Sequence, residues 1–173
     1  AASMVLRDPT VDAAVLETAT LLGLVCLGKT HMSELAFSGL GLNPVTATPP
    51  NLNDDKAVPG GSSSGAAASV AFGLAPAAIG SDTGGSVRIP AALCGVAGFR
   101  PSTGRWPTEG IVRISTTRDT PGAIARSVAD CALLDAVVTG RAARRGTDDG
   151  IAAREGARWR QEEPLRGLRL GVP

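Results

Sequence analysis

The segment from residue 60 to residue 90 restricts the fold of this chain more than any other. It reads GGSSSGAAASVAFGLAPAAIGSDTGGSVRIP, in which two clusters of serine and glycine enclose a stretch made mainly of alanine. Glycine lets the backbone approach a reacting atom closely or adopt positive φ, and serine supplies hydroxyls that serve as nucleophiles or proton relays. The alanines alone indicate a buried helix that packs closely on a sheet. The two clusters indicate that this stretch also carries an active site.

The rest of the chain shows alternating helical and strand patterns, which is typical of an α/β fold. Helices are predicted at 11–23, 65–74, 90–94 and 128–138. Thr10 and Gly23 bound the first helix, while Ser127 with Asp130 forms a capping box for the last one, which Gly140 ends. Buried strands are predicted at 24–27, 77–80 and 96–99. Residues 41–59, rich in proline and asparagine, predict a long surface loop.

Composition excludes several classes of function. The net charge is +1, aromatic residues make up 3% of the chain and tyrosine is absent, so neither nucleic acid nor a membrane surface is an expected partner. Cys26, Cys94 and Cys131 are widely separated and predict reduced core thiols. No signal peptide or membrane span is visible, so a cytoplasmic location is the default expectation. One histidine and no paired cysteines leave too few ligands for a metal site.

Two short motifs match known patterns in the wrong context. Residues 23–30, GLVCLGKT, fit the phosphate-loop pattern, but a helix precedes them and their spacer is strand-like, so nucleotide binding stays an unfavoured alternative. Residues 61–65, GSSSG, fit the nucleophile elbow with Ser63 at its centre. That motif needs a histidine after the serine, whereas His31, the only histidine, precedes it. His31 is therefore expected to have a packing or hydrogen-bonding role.

A lysine and two serines remain, and together they could supply the base, the proton relay and the nucleophile of an acyl-transfer reaction. Lys29 follows the predicted strand at 24–27, Ser62 lies in GGSSSG and Ser86 in SDTGGS. A buried lysine can lose its proton and act as a base, because lowering its pKa from about 10.4 to about 7 takes roughly 4 to 5 kcal/mol, which burial can supply. The second serine would pass the proton from the nucleophile to the lysine.

The run from residue 82 to residue 86, DTGGS, supplies the other half of acyl-transfer chemistry. Successive amides around paired glycines can hold the oxyanion of a tetrahedral intermediate. Asp82 and Arg88 flank this turn and are expected to form a buried pair that fixes its shape. A tight glycine turn without a ligand is the alternative interpretation of the run.

Together these residues resemble the amidase signature family of serine hydrolases. Lys29, GGSSSG, GSDTGGSVRIPAALCGVAGFRPSTGR and DTPGAIARSVADCALL carry the resemblance. It implies that Ser86 is the nucleophile, that Ser62, preceded by a cis peptide, is the relay, and that Lys29 is the base. Thr83, Gly84, Gly85 and Ser86 would form the oxyanion hole, without cofactor or metal. Ser64, Ala66 and Arg100 depart from the usual signature, although none belongs to the triad.

The resemblance also implies the fold and the extent of the domain. The fold would be a central mixed β-sheet flanked by helices, and residues 1–173 would form an incomplete portion of it. The signature core would span about 24–140, a charged connector about 141–164, and the start of a further strand 168–173.

The implied function is an amide hydrolase that acts on carbon-nitrogen bonds other than peptide bonds, with a small-molecule amide as substrate. One alternative is the amidase subunit of a transfer-RNA-dependent amidotransferase. That branch usually reads Arg-Gln-Pro where residues 88–90 read Arg-Ile-Pro, which favours a free-standing enzyme. Another alternative is a non-catalytic fragment. The sequence leaves homo-oligomer formation open.

Overall fold

The computed structural model describes residues 11–140, which form a three-layer arrangement of helices around a small sheet. The helices are α1 (Ala14–Leu21), α2 (Ser64–Ala71), α3 (Arg88–Cys94) and α4 (Val128–Val138), and a 3₁₀ turn covers Glu34–Ala36. The strands are β1 (Ala77–Asp82), β2 (Ala97–Phe99) and β3 (Thr120–Ala125). The strands predicted at 77–80 and 96–99 are confirmed within one or two residues, and β3 was not predicted. Thr10, the charged connector and the strand at 168–173 lie outside the described residues.

Strand β3 is the centre of the sheet. It pairs antiparallel with β1 on one side and with β2 on the other, in the order β1-β3-β2. All six residues of β3 are buried, since helices cover both faces of the sheet. The mixed sheet that the resemblance implies is therefore represented, within residues 11–140, by antiparallel pairs alone.

The two faces of the sheet carry separate apolar clusters. On one face, Ala123 and Ala125 of β3 pack with residues from α1 and α4. On the other face, Ile124 packs with the small side chains of α2 and with α3. The alternation of Ala123, Ile124 and Ala125 follows the two-residue period of a strand. The alanine-rich segment is therefore a buried helix on a sheet, as its composition predicts.

The ends of the helices follow local signals. Ser127 is the N-cap of α4, and its hydroxyl accepts a hydrogen bond of 3.1 Å from the N–H of Asp130. The same hydroxyl lies 2.7 Å from the Asp130 carboxylate. Gly140, at φ +70°, follows the last turn. The N-cap half of the predicted capping box is confirmed, whereas the Asp130 carboxylate accepts from the Ser127 hydroxyl and not from its N–H.

The predicted strand at 24–27 is wrong. These residues form no ladder with any strand of the described part of the chain, and the side chains of Val25 and Leu27 are 79% and 71% exposed. A strand needs a hydrogen-bonded neighbour, and an apolar run alone does not supply one. Cys26 is likewise exposed, so only Cys94 and Cys131 are the core thiols that the sequence predicts.

Candidate active site

Ser63 brings the two serine-glycine clusters together. It lies just before α2, and its N–H donates a hydrogen bond of 3.1 Å to the carbonyl oxygen of Ser86. Its hydroxyl donates to the carbonyl of Ser81 and accepts from the N–H of Ser81, both at 3.3 Å. The loop that carries Ser62 is therefore joined to β1 and to the loop that carries Ser86. Two of the three predicted catalytic residues lie on adjacent loops.

Ser62 lies at the centre of this junction and is fully buried. The peptide bond between Gly61 and Ser62 is cis, as the resemblance implies. The carbonyl of Ser62 accepts a hydrogen bond of 3.0 Å from the N–H of Ser33, and the N–H of Gly61 donates to the carbonyl of Gly39 at 2.8 Å. The Ser62 hydroxyl has no hydrogen-bond partner among residues 11–140. A buried hydroxyl without a partner is costly, which makes it a candidate for exchanging protons with a reacting group.

The predicted oxyanion loop leaves β1 at Asp82 and turns into α3. Gly85 adopts φ +130°, and a Cβ there would lie 2.8 Å from Cδ1 of Ile89, so only glycine fits. The N–H of Gly85 donates to Oδ1 of Asp82 at 2.8 Å and is already used. The N–H groups of Thr83, Gly84 and Ser86 make no hydrogen bond within residues 11–140. These three amides are the donors that the structure leaves available for an oxyanion.

Asp82 fixes the shape of this loop. Its carboxylate is fully buried and accepts hydrogen bonds from the N–H groups of Gly85 and Val87, and from the guanidinium groups of Arg88 and Arg100. Burial alone would raise its pKa, but the hydrogen bonds from Arg88, Val87 and Gly85 outweigh burial and hold the pKa at about 2. Asp82 is therefore ionised at neutral pH. The predicted pair with Arg88 is confirmed, although the Arg88 side chain is 53% exposed rather than buried.

Lys29 lies outside this cluster, although its predicted role as the base requires contact with Ser62. It lies on an exposed segment from residue 21 to residue 32, and it makes no hydrogen bond or ion pair with any residue of the described part. The burial that the prediction requires for Lys29 is missing from this structure, because residues 24–27 do not form a buried strand. Two residues later, the carbonyl of His31 accepts a hydrogen bond of 2.8 Å from the N–H of Gly65, at the start of α2. The segment is anchored near Ser62 even though Lys29 itself is exposed.

Three residues position the site without a clear signal in the sequence. Ser63 matches the centre of a nucleophile elbow, whereas its hydrogen bonds join the two loops. Arg100 departs from the usual signature, whereas it contacts Asp82. Asp119 belongs to no predicted site, yet its carboxylate accepts a hydrogen bond from the hydroxyl of Thr83. No local motif marks this last contact, because it joins positions that are far apart in the sequence.

The alternative sites receive no structural support within residues 11–140. No group of three histidine, cysteine, aspartate or glutamate side chains is placed to hold a metal ion there. The phosphate-loop match at 23–30 lacks the strand before it and the helix after it that cradle a phosphate. No helix in that range is long and apolar enough to cross a bilayer.

Comparison with known proteins gives consistent matches. The family model for amidases matches residues 1–173. Mandelamide hydrolase of Pseudomonas putida is 50% identical over 137 residues, which cover 76% of this chain and 27% of that protein. Indoleacetamide hydrolase of Pseudomonas savastanoi is 45% identical over 130 residues, or 75% of this chain and 29% of that protein.

A second group of relatives consists of amidotransferase subunits. A glutamyl-tRNA(Gln) amidotransferase subunit of Paraburkholderia xenovorans (strain LB400) is 42% identical over 170 residues, which cover 94% of this chain and 34% of that protein. The chain thus spans about a third or less of the length of these curated relatives.

The solved structures agree with the sequence matches. One described as an amidase matches with a TM-score of 0.73 and 40% identity, over 75% of this chain and 30% of that one. The corresponding glutamyl-tRNA(Gln) amidotransferase subunit from Thermotoga maritima matches with a TM-score of 0.71 and 39% identity, over 74% of this chain and 28% of that one.

Proposed function

Because the chain belongs to the amidase family, we propose that it carries the catalytic core of an amide hydrolase, which acts on carbon-nitrogen bonds other than peptide bonds through an acyl-enzyme on Ser86. The observation that carries the proposal is the buried hydroxyl of Ser62. It has no hydrogen-bond partner within residues 11–140, and it lies on the loop that Ser63 joins to Ser86. A relay requires a hydroxyl in such a position, since it must accept one proton while it donates another.

The proposed reaction begins when the Ser86 hydroxyl attacks the carbonyl carbon of the amide. Its proton passes to Ser62 as the proton of Ser62 passes to Lys29. The amides of Thr83, Gly84 and Ser86 stabilise the oxyanion. Collapse of the intermediate breaks the carbon-nitrogen bond, and the leaving amine takes back the proton from Lys29 through Ser62. Water then attacks the ester carbonyl and gives a proton through Ser62 to Lys29. That proton returns through Ser62 to the Ser86 oxygen as the ester bond breaks, which releases the carboxylic acid and regenerates Ser86.

The exposure of Lys29 sets one condition on this proposal. An amine can accept a proton only in its neutral form, which surroundings that exclude water favour. Lys29 must therefore be desolvated in the active state, in contact with Ser62. Its position two residues before the contact between His31 and Gly65 keeps it within a short length of chain from α2.

The relatives suggest the class of substrate. Mandelamide hydrolase and indoleacetamide hydrolase have names that denote small amides with an aromatic group. In this chain, Ile89 packs against Gly85 of the oxyanion loop and is 37% exposed, so it presents an apolar surface beside the reacting centre. We therefore favour a small amide with an apolar acyl group. The cytoplasmic location and any homo-oligomer remain predictions.

The second candidate is the amidase subunit of a transfer-RNA-dependent amidotransferase. It is supported by the match to the Paraburkholderia xenovorans amidotransferase protein, which is 42% identical to this chain. Such a protein would release ammonia from glutamine and pass it to a partner. Ile89 argues against this candidate, because that branch usually carries glutamine at the position.

The test uses the 173-residue chain with a serine-reactive fluorophosphonate, followed by peptide mapping. We expect labelling at Ser86, none in Ser86→Ala, and labelling slowed by at least about 10² in Lys29→Ala. Lys56→Ala, which removes another exposed lysine, should label at the unaltered rate. Hydrolysis of mandelamide and indoleacetamide, set against release of ammonia from glutamine, separates the two candidates. A chain that folds but is not labelled at Ser86 would support the non-catalytic alternative and defeat the proposal.

A further inference from the structure

The carboxylate of Asp119 organises the loop that precedes β3. One oxygen, Oδ2, accepts hydrogen bonds from the N–H groups of Ile114 and Ser115 at 2.7 and 2.9 Å. The other, Oδ1, accepts a hydrogen bond from the hydroxyl of Thr83. Burial raises the pKa of Asp119, but the hydrogen bonds from Thr83, Ser115 and Ile114 outweigh it and hold the pKa below its ordinary value. The loop is thus closed on itself and joined to the oxyanion loop through one ionised side chain.

Arg100 makes a second connection between the same two loops. It follows β2, and its side chain is only 19% exposed. Nη1 donates to the carbonyl oxygen of Asp82 and, at 3.0 Å, to Oδ1 of Asp82. Nη2 donates to the carbonyl oxygen of Arg118 at 2.8 Å. A guanidinium can serve these acceptors at once because its donors are held in a rigid planar fork, which the single ammonium of lysine lacks.

These contacts link two pairs of consecutive residues. Arg100 ties residue 82 to residue 118, and the Thr83–Asp119 hydrogen bond ties residue 83 to residue 119. We call this set of contacts the 82–119 clasp. It holds the point at which the chain leaves β1 and begins the turn that carries the candidate oxyanion donors. Gly84 and Gly85 follow directly, and glycines do not restrict their own φ and ψ.

The effect of an N–H donor on the reaction rate depends on how accurately the donor is placed relative to the oxyanion. Donors must be held to within roughly 0.5 Å of their working geometry, and a displacement of about 1 Å can cost about 10² in rate. The Asp82 carboxylate fixes the turn from inside, through Gly85 and Val87. The N–H of Thr83 has no such internal restraint, whereas its side chain is fixed from outside by Asp119.

We propose that Asp119 and Arg100 are positioning residues, which hold Thr83 and the turn after it in the geometry that oxyanion binding requires. The proposal rests on the proposed function for its catalytic consequence, while its structural part stands on the clasp contacts alone. Neither residue touches the reacting atoms. Both act through the backbone of residues 82–85.

The test measures two quantities in the 173-residue chain: amide hydrogen exchange at Gly85 by NMR, and the rate of Ser86 labelling by a fluorophosphonate. In Asp119→Asn and Arg100→Lys, we expect exchange at Gly85 to accelerate and labelling to slow, each by about 10- to 100-fold. Thr83→Val should behave like Asp119→Asn, and Thr83→Ser, which keeps the hydroxyl, should restore most of the labelling rate. Asp55→Asn, which removes an exposed carboxylate with no hydrogen bond among residues 11–140, should change neither quantity.

The outcomes separate this inference from the proposed function. Absence of labelling in the unaltered chain would defeat the proposed function, while exchange at Gly85 would still decide whether the clasp restrains the turn. The inference would be overturned if the Gly85 amide exchanged at the same rate in Asp119→Asn as in the unaltered chain. It would also be overturned if the unaltered chain were labelled at Ser86 and Asp119→Asn were labelled equally fast. If Asp119→Asn fails to fold, the Thr83→Val and Thr83→Ser pair gives the same decision. Exchange that accelerates uniformly in all strands would indicate a merely structural role and would also overturn it.

Discussion

The N–H of Ser63 donates a hydrogen bond of 3.1 Å to the carbonyl oxygen of Ser86, and this one contact joins the loop of the proposed relay to the loop of the proposed nucleophile. The hydroxyl of Ser63 adds two hydrogen bonds to the backbone of Ser81. Gly80 makes this approach possible, because a Cβ there would lie 2.5 Å from Oγ of Ser63. The second serine of GGSSSG is therefore a structural connector between the two loops.

The first prediction concerns the hydroxyl of Ser62. Because it is buried without a hydrogen-bond partner among residues 11–140, Ser62→Ala should leave the free energy of unfolding unchanged or raise it by about 1 kcal/mol. The same substitution should slow the labelling of Ser86, since it removes the relay. Urea denaturation and the labelling rate measure the two effects. Unchanged or higher stability together with slower labelling would show that the Ser62 hydroxyl serves the reaction and does not stabilise the fold.

Ser64 provides a matched control for that prediction. Its hydroxyl is also buried and also has no partner within the described range, but it has no role in the proposed proton path. Ser64→Ala should therefore change the free energy of unfolding as Ser62→Ala does. Its Ser86 should be labelled at the same rate as in the unaltered chain. Equal loss of labelling in both variants would contradict the relay assignment.

The second prediction concerns the close approach of the Lys29 segment to α2. A Cβ on Gly65 would lie 2.4 Å from the backbone nitrogen of His31, so Gly65→Ala must displace the segment or the helix. Helix propensity alone would favour alanine by about 1 kcal/mol, but overpacking of this kind costs about 1 to 3 kcal/mol. We expect a net loss of stability and slower labelling of Ser86, because the segment that carries Lys29 moves away from Ser62.

Gly28→Ala is the control for this substitution. It lies on the same segment, next to Lys29, but a Cβ there would have no atom within 4 Å. Thermal denaturation should show little change for Gly28→Ala and a lower Tm for Gly65→Ala. Equal Tm values for the two variants would show that the His31 contact does not restrain the segment.

The elements that the sequence predicted well are those with local signals. Ser127 and Asp130 mark the start of α4 through a capping contact between close neighbours, and the alanines of α2 mark a helix that is buried on a sheet. The strand predicted at 24–27 failed because its pattern was also local, whereas a strand depends on a partner elsewhere in the chain. The exposure of Lys29 follows from that failure.

In the candidate site, too, features marked by a local motif were predicted and contacts between distant positions were not. The resemblance led to Ser62 and Ser86, and the structure places their loops in contact. The contacts between Thr83 and Asp119 and between Arg100 and Arg118 join distant positions, and no motif encodes them. The use of the Gly85 amide by Asp82 could not be read from DTGGS, because it depends on the geometry of the turn.

The third prediction concerns pH. The ordinary pKa of an aspartate is 3.8, and in the folded chain the pKa of Asp82 is about 2, because the hydrogen bonds from Arg88, Val87 and Gly85 outweigh the effect of burial. Since the folded-state pKa is the lower one, the unfolded chain takes up the proton first as pH falls. The stabilisation is complete above about pH 4 and is lost between about pH 4 and pH 2, and it amounts to about 2 kcal/mol. Asp119, whose pKa is also lowered, contributes in the same direction.

Urea denaturation of the unaltered chain and of Arg88→Gln, each at a series of pH values from about 5 to about 2.5, isolates the part due to this pair. Removing the guanidinium of Arg88 raises the folded-state pKa of Asp82 toward its ordinary value, so the free energy of unfolding should fall less steeply with acid in the variant. Arg126→Gln, which removes an exposed arginine that makes no ion pair with the described residues, should keep the original slope. Parallel curves for the unaltered chain and Arg88→Gln would mean that Arg88 does not set the ionisation of Asp82, and that Arg100 with the backbone amides suffices to hold the turn.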